Sequence, residues 1–217
     1  MIFHNNQTNS NIQRLFLIGV LVLAMGTLAA CGGGEPAVVA TSYIAKIADA
    51  PASARVGIVV EDGKFAVYVC SLDDAFNLLS ARWYSGDVGA GGSVQGTSPD
   101  GVVFEGTVSG DQFTGTIVNA AGQTWTFSGS VVPAGGPGGL YRGIAEYGGQ
   151  EIVVGAVVDP DGSFASTVQV RGEIAFVTPV GSSPLRVDND TIKVTLGDPS
   201  QQVEVTLVTT LIGVELF

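Results

Sequence analysis

Apolar and polar residues alternate with period two along most of this chain, and few structures satisfy that pattern. Trp125, Phe127, Gly129 and Val131 share one face, against Thr124, Thr126, Ser128 and Ser130. Phe164, Ser166, Val168 and Val170 oppose Ser163, Ala165, Thr167 and Gln169. Ile192, Val194 and Leu196 alternate with Thr191, Lys193 and Thr195, and Val203, Val205 and Leu207 with Glu204 and Thr206. Successive side chains of a strand point to opposite faces, so these segments read as half-buried antiparallel strands. Turn signals separate them: Glu61-Asp62-Gly63, Pro99-Asp100-Gly101, Ser109-Gly110-Asp111, Ala121-Gly122, Gly148-Gly149 and Asp159-Pro160-Asp161-Gly162. Asp-Gly and Gly-Gly supply the positive φ that tight hairpins require. Ser42–Ala54 leaves strand and helical turn open.

A weak repeat runs through the pattern. Three hairpins begin at Gly57, Gly106 and Gly155, spaced 49 residues apart, and Trp83–Val88 echoes Thr126–Val131. This reads as duplication of a four-strand meander; three propeller blades would be too few. The expected fold is therefore all-β, an antiparallel up-and-down meander of roughly ten to twelve short strands. It should be one continuous sheet that closes or curls strongly into a barrel, because closure removes exposed edges. A β-sandwich is the alternative.

The N-terminus is set apart from the fold. Leu15–Thr27 is an uncharged apolar run, shorter than the ~20 residues a spanning helix needs. It leads into Leu28-Ala29-Ala30-Cys31 and three glycines, in the order of a secretory signal. This ending resembles the lipobox of bacterial lipoproteins. The resemblance implies that the Cys31 thiol receives a diacylglycerol, that cleavage falls before Cys31, and that the new amine is open to acylation by a further chain such as palmitate. Two or more acyl chains give a stable anchor. Gly32 stands where Asp is the family's inner-membrane retention signal. The implied location is the outer membrane in a diderm, or the outer face of the cell membrane in a monoderm. The expected organisation is a signal peptide at 1–30, lipidated Cys31 with a flexible tether to 41, and a single β-domain at 42–217.

Charge and residue counts then exclude chemistries. The chain carries 9 Lys+Arg against 20 Asp+Glu, a net charge of −11. That balance excludes a nucleic-acid partner bound by phosphate neutralisation. Only 13% of residues are charged, about half the usual fraction, which argues against a disordered acidic segment. Cleavage before Cys31 would remove His4, the one histidine, and leave Cys70 as the one unmodified thiol. A mature chain without histidine has no Ser-His-Asp or Cys-His pair and no zinc site of the His or multi-Cys kind. No glycine-rich stretch has phosphate-loop or dinucleotide spacing. The reading names no catalytic residue, no cofactor and no metal ligand, and the one modification site is Cys31.

Tyr68-Val69-Cys70, Ala81-Arg82-Trp83-Tyr84-Ser85-Gly86, Gly106–Gly110 and Gly138-Gly139-Leu140-Tyr141-Arg142 occur in that order. They resemble a recurring family of secreted or lipid-anchored bacterial β-rich proteins with YVC, W-aromatic-x-G and GLYR segments. The resemblance covers roughly Arg55–Val158 and carries over no activity or catalytic residue.

Several residues are weighed as site candidates. Cys70 reads as a buried small hydrophobe rather than a reactive thiol. Asp188-Asn189-Asp190 and Asp159–Gly162 could offer oxygens to calcium, but Asp and Asn also cap turns, and neither segment has the twelve-residue calcium loop. Asp73-Asp74 caps one helical turn. Trp83, Tyr84, Trp125, Phe127, Tyr141 and Tyr147 would either line a ligand cavity or fill a small barrel. Arg142 follows the glycine-rich loop Ala134–Gly139 and could grip a carboxylate, but reads rather as a structural or solvated cation.

The functional expectation is a lipid-anchored envelope protein acting as a non-catalytic binding or interaction module, with the membrane as partner through Cys31. A small apolar ligand or an envelope protein is the further partner class. Two alternatives stand: a carboxylate-based hydrolase of envelope polymer, needing two acids about 5–9.5 Å apart, and an integral outer-membrane barrel. The latter needs ~9–11-residue strands with a lipid-facing band.

Overall fold

Where the sequence alternates, the backbone forms ladders, and the ladders are antiparallel throughout. The structure is a computed structural model describing residues 40–171, 176–177, 180–181, 187–188, 190–197 and 200–211. The expected signal peptide, Cys31 and the tether to residue 39 lie outside the described residues.

The first eight strands form one sheet. They are β1 (Thr41–Ile47), β2 (Arg55–Glu61), β3 (Lys64–Cys70), β4 (Trp83–Asp87), β5 (Ser93–Thr97), β6 (Val103–Ser109), β7 (Gln112–Val118) and β8 (Thr124–Val131). Their order, β4-β3-β2-β1-β8-β7-β6-β5, is two four-strand meanders laid side by side and joined at β1 and β8. Gly57 and Gly106 fall on β2 and β6, strands of the two different meanders. The sheet curls until β4 and β5 meet, and a Cβ on Gly96 of β5 would lie 2.9 Å from the Tyr84 ring on β4. The result is a nearly closed barrel. A short helix, α1 (Asp74–Ser80), connects β3 to β4, with Asp73 as its N-cap accepting from the Phe76 amide at 2.7 Å.

All six turn signals fall between consecutive strands. Asp62 (φ 48°) and Gly63 (φ 70°) join β2 to β3 in a two-residue hairpin, the geometry that needs positive φ twice. The ambiguous Ser42–Ala54 segment resolves into β1 followed by a turn.

The chain departs from one continuous sheet after β8. Pro133 and Pro137, in and beside the glycine-rich loop, have no amide to extend a ladder. The remaining strands form a second sheet, a half-barrel: β9 (Gly139–Tyr147), β10 (Gln150–Val158), β11 (Phe164–Val170), β12 (Phe176–Val177), β13 (Val180–Gly181), β14 (Thr191–Leu196) and β15 (Gln201–Leu207). Their order is β12-β11-β10-β9-β15-β14-β13.

The half-buried reading holds for β8, where Thr124, Thr126, Ser128 and Ser130 are exposed. It fails for β11, whose Ala165, Ser166, Thr167 and Val168 are all buried. The reason lies in its neighbour. β10 is apolar on both faces from Ile152 to Val158, and such a strand must be covered on both sides. The second sheet therefore packs one face on the outside of the barrel.

Three apolar layers result. One fills the barrel around Ile58, Val67, Phe104 and Ile117. A second joins the two sheets through Val59, Tyr68 and Trp83 on one side and Leu140, Val153 and Val157 on the other. The third covers the opposite face of the second sheet around Val154, Ile192 and Val205.

Candidate functional site

A barrel invites a ligand in its interior, so the interior is the first candidate. Inward positions of β4, β6, β7 and β8 place Tyr84, Phe104, Phe113 and Phe127 there. Phe104 stacks on Tyr84 with ring centroids 5.2 Å apart and on Phe127 at 5.5 Å. Phe113 lies 4.8 Å from Phe127, and Tyr43 extends the series at 6.3 Å. The Tyr43 hydroxyl donates to the Gly110 carbonyl at 3.1 Å. A contiguous stack of rings thus occupies the barrel's middle. Burying each ring contributes roughly 1.5–3 kcal/mol to stability.

The six aromatics weighed as cavity lining are not brought together. Tyr84 and Phe127 are in the barrel. Trp83 points outward and stacks on Tyr68 between the sheets, at 4.3 Å. Trp125 meets Phe76 of α1 at 6.2 Å. Tyr141 and Tyr147 belong to the second sheet. The Tyr141 hydroxyl donates to the Pro137 carbonyl at 2.7 Å, and burial, with Asp190 nearby, raises its pKa to about 12.

The second candidate is a cleft of about 690 Å³ where the described chain begins. Ala40, Ser42, the glycine-rich loop, Asp190 and Val208 line it. Arg142 is not among its lining residues; it sits half-buried on β9 opposite Gly155 and Thr206.

Charged groups near the core form structural clusters. Arg55 at the start of β2 donates through Nε to Asp159 at 2.9 Å, with both side chains 8% exposed. Ser163 Oγ donates to the same carboxylate oxygen at 2.8 Å. The acidic turn weighed for calcium is therefore tied to an arginine of the other sheet. Asp188 forms an isolated bridge with Thr191, Asp190 adopts φ 60°, and Asn189 lies outside the described residues. Among the described residues no three His, Cys, Asp or Glu side chains gather as a metal set.

Arg82 pairs with Asp100 in the β5–β6 turn, and its guanidinium also donates to the carbonyl of Ala81 at 2.6 Å. The Arg82 hydrogen bond holds the Asp100 carboxyl down to about 2. Glu61 is buried at the end of β2 and accepts from Thr210 Oγ1 at 2.9 Å and from the Leu211 amide. Cys70 is fully buried; its thiol donates to the Ala165 carbonyl at 3.4 Å, and burial pushes its pKa up. A thiol so placed is a packing group.

Sequence reasoning did not find the Arg55–Asp159, Arg82–Asp100 or Glu61–Thr210 contacts. The available signal was scarcity: an arginine at a strand end, in a chain with 9 Lys+Arg, is a candidate for a buried pair.

No family model matches the chain, and no curated protein matches it. Among solved structures it is similar to a Nitrosomonas europaea protein provisionally named AttH. The two share 11% identity over 78% of this chain and 92% of that one, with a TM-score of 0.22.

Proposed function

We propose that this chain is a lipid-anchored protein of the bacterial envelope and acts as a non-catalytic interaction module. The observation that carries this reading is the aromatic stack in the barrel. A small-ligand carrier needs an apolar cavity of several hundred Å³, and here Tyr84, Phe104, Phe113 and Phe127 occupy that space. The barrel's exposed face also favours an anchored domain over an integral barrel. Thr124, Thr126, Ser128 and Ser130 of β8 face solvent where a spanning strand presents an apolar band. Eight residues lie between Cys31 and Ala40, and the nine Cα steps reach about 30 Å when fully extended. Such a tether would keep the domain close to its membrane.

The test is expression of the full chain in a diderm host fed labelled palmitate. Incorporation, an N-terminal peptide mass beginning at lipidated Cys31, and loss of both in Cys31→Ser are the expected results. Label retained in Cys31→Ser overturns the anchor. An apolar molecule extracted at one per purified chain overturns the interaction reading in favour of a carrier.

A further inference from the structure

The layer that joins the two sheets holds polar atoms among its apolar side chains, and two of them have no partner. Trp83 Nε1 and Thr167 Oγ1 are buried without a hydrogen bond among the described residues. Trp83 is 3% exposed and Thr167 is fully buried. Buried polar side-chain atoms of native proteins are mostly bonded, to protein or to ordered water.

Packing gathers both atoms around the Tyr68 hydroxyl. Tyr68 and Trp83 are cross-strand partners on β3 and β4, and their rings stack at 4.3 Å. The Tyr68 ring lies over Gly155 of β10, where a Cβ would fall 2.3 Å from it. Gly155 is in turn paired with Thr167 on β11, and the Tyr68 hydroxyl donates to the Thr167 carbonyl at 3.2 Å. Thr167 stands two positions from Ala165, which packs between the sheets, so the Thr167 side chain points into the same layer. The barrel thus contributes an indole N–H and a phenol. The half-barrel contributes a hydroxyl beside the carbonyl that the phenol already uses.

The three groups define what they could hold. Trp83 offers a donor and no acceptor. Tyr68 has spent its proton on a carbonyl and has lone pairs left to accept with. Burial pushes the Tyr68 pKa well above its ordinary value, so the hydroxyl keeps that proton. Thr167 Oγ1 can accept or donate. None of the three carries a charge to pair with an ion. The guest is therefore small and neutral, and it must both accept and donate. Water meets those terms with about three hydrogen bonds, the usual number for an internal water.

We propose that Trp83 Nε1, Tyr68 Oη and Thr167 Oγ1 hold one water molecule between the barrel and the half-barrel. The water accepts from the indole and donates to the two hydroxyl oxygens. Its partners come from both sheets, so it belongs to the joint and favours the placement that sets Tyr68 over Gly155. The site stands apart from the anchor and from the interaction reading.

The test uses the full chain, labelled with 15N-tryptophan and purified in detergent. The Trp83 indole proton, identified by its loss in Trp83→Phe, should show a cross-peak to water. Its sign in the rotating frame should be that of a long-lived bound molecule rather than of proton exchange. Thr167→Val keeps the side chain's shape and removes the hydroxyl. It should weaken that cross-peak and lower the melting temperature by about 2–4 °C, the scale of one hydrogen bond in a chain of this size. If the two atoms are simply unpaired, Thr167→Val relieves a buried polar group. The melting temperature then rises, the indole shows no water, and the proposal is overturned. A lower melting temperature with no water at the indole also overturns it, because the hydroxyl then serves the chain directly. So does a water cross-peak that Thr167→Val leaves at full strength, since that water would belong to the barrel alone.

Discussion

A methyl group on Gly155 would sit 2.3 Å from the Tyr68 ring, closer than any real contact. Tyr68 is fully buried between the sheets, stacked on Trp83, and its hydroxyl donates to the Thr167 carbonyl at 3.2 Å. The ring has nowhere to go. Gly155→Ala is therefore expected to destabilise the chain by about 1–3 kcal/mol or more, the scale of core overpacking, measured by denaturant titration. Adding Tyr68→Leu should recover part of the loss, because it removes the clashing atoms, and a double-mutant cycle would show the two sites coupled. Additive effects would mean the glycine serves its own strand alone. The sequence marks Gly155 by its 49-residue spacing from Gly106. It does not show the cause, because Tyr68 belongs to a different hairpin and nothing local pairs them.

Strands, turns and the helix cap were largely legible, since each depends on neighbours in sequence. Period two set the faces of β8, β14 and β15, and the Gly-bearing pairs located the hairpins. Asp73 was legible as a cap because it acts three residues away. What escaped were contacts made by turns with distant elements. Asp100 reads as part of a turn, yet its carboxylate is bound by Arg82 from beyond α1. That contact makes a prediction about pH. The Asp100 carboxyl is held at about 2, below its ordinary 3.8. A lowered folded value means the contact stabilises fully above pH ~4 and fades as pH falls towards ~2. The melting temperature of wild type should exceed that of Asp100→Asn by a constant margin from pH 6 to about 4, and the margin should close near pH 2. A margin that persists at pH 2 would assign the effect to the turn's shape rather than to the charge.

The whole molecule depends on how a barrel and a half-barrel share one layer. That two sheets would form, rather than one, was hinted at by the apolar run Ile152–Val158, which needs cover on both faces. Which faces would meet was not legible, because the meeting residues, such as Val59 and Val157, alternate along strands far apart in the sequence. The same holds for the segment around α1, where Leu72 and Leu78 are exposed while Phe76 is buried. Arg55 and Asp159 lie 104 residues apart, and they form a buried ion pair from β2 of the barrel to the β10–β11 turn of the half-barrel. A buried pair is weak support in itself, since desolvating both charges costs nearly what their attraction returns. Removing one partner is different, because it strands the other charge away from water. Asp159→Ala is expected to cost about 3–5 kcal/mol, while Arg55→Met with Asp159→Leu, which removes both charges, should stay within about 1–2 kcal/mol of wild type or exceed it. Hydrogen exchange shows where the loss is felt. If the two sheets unfold as one unit, Asp159→Ala lowers protection of β2 and β10 amides together and by equal free energies. If protection falls in the β10–β11 turn alone, the pair holds a loop, and the shared apolar layer of Tyr68, Trp83, Leu140 and Val157 joins the sheets without it.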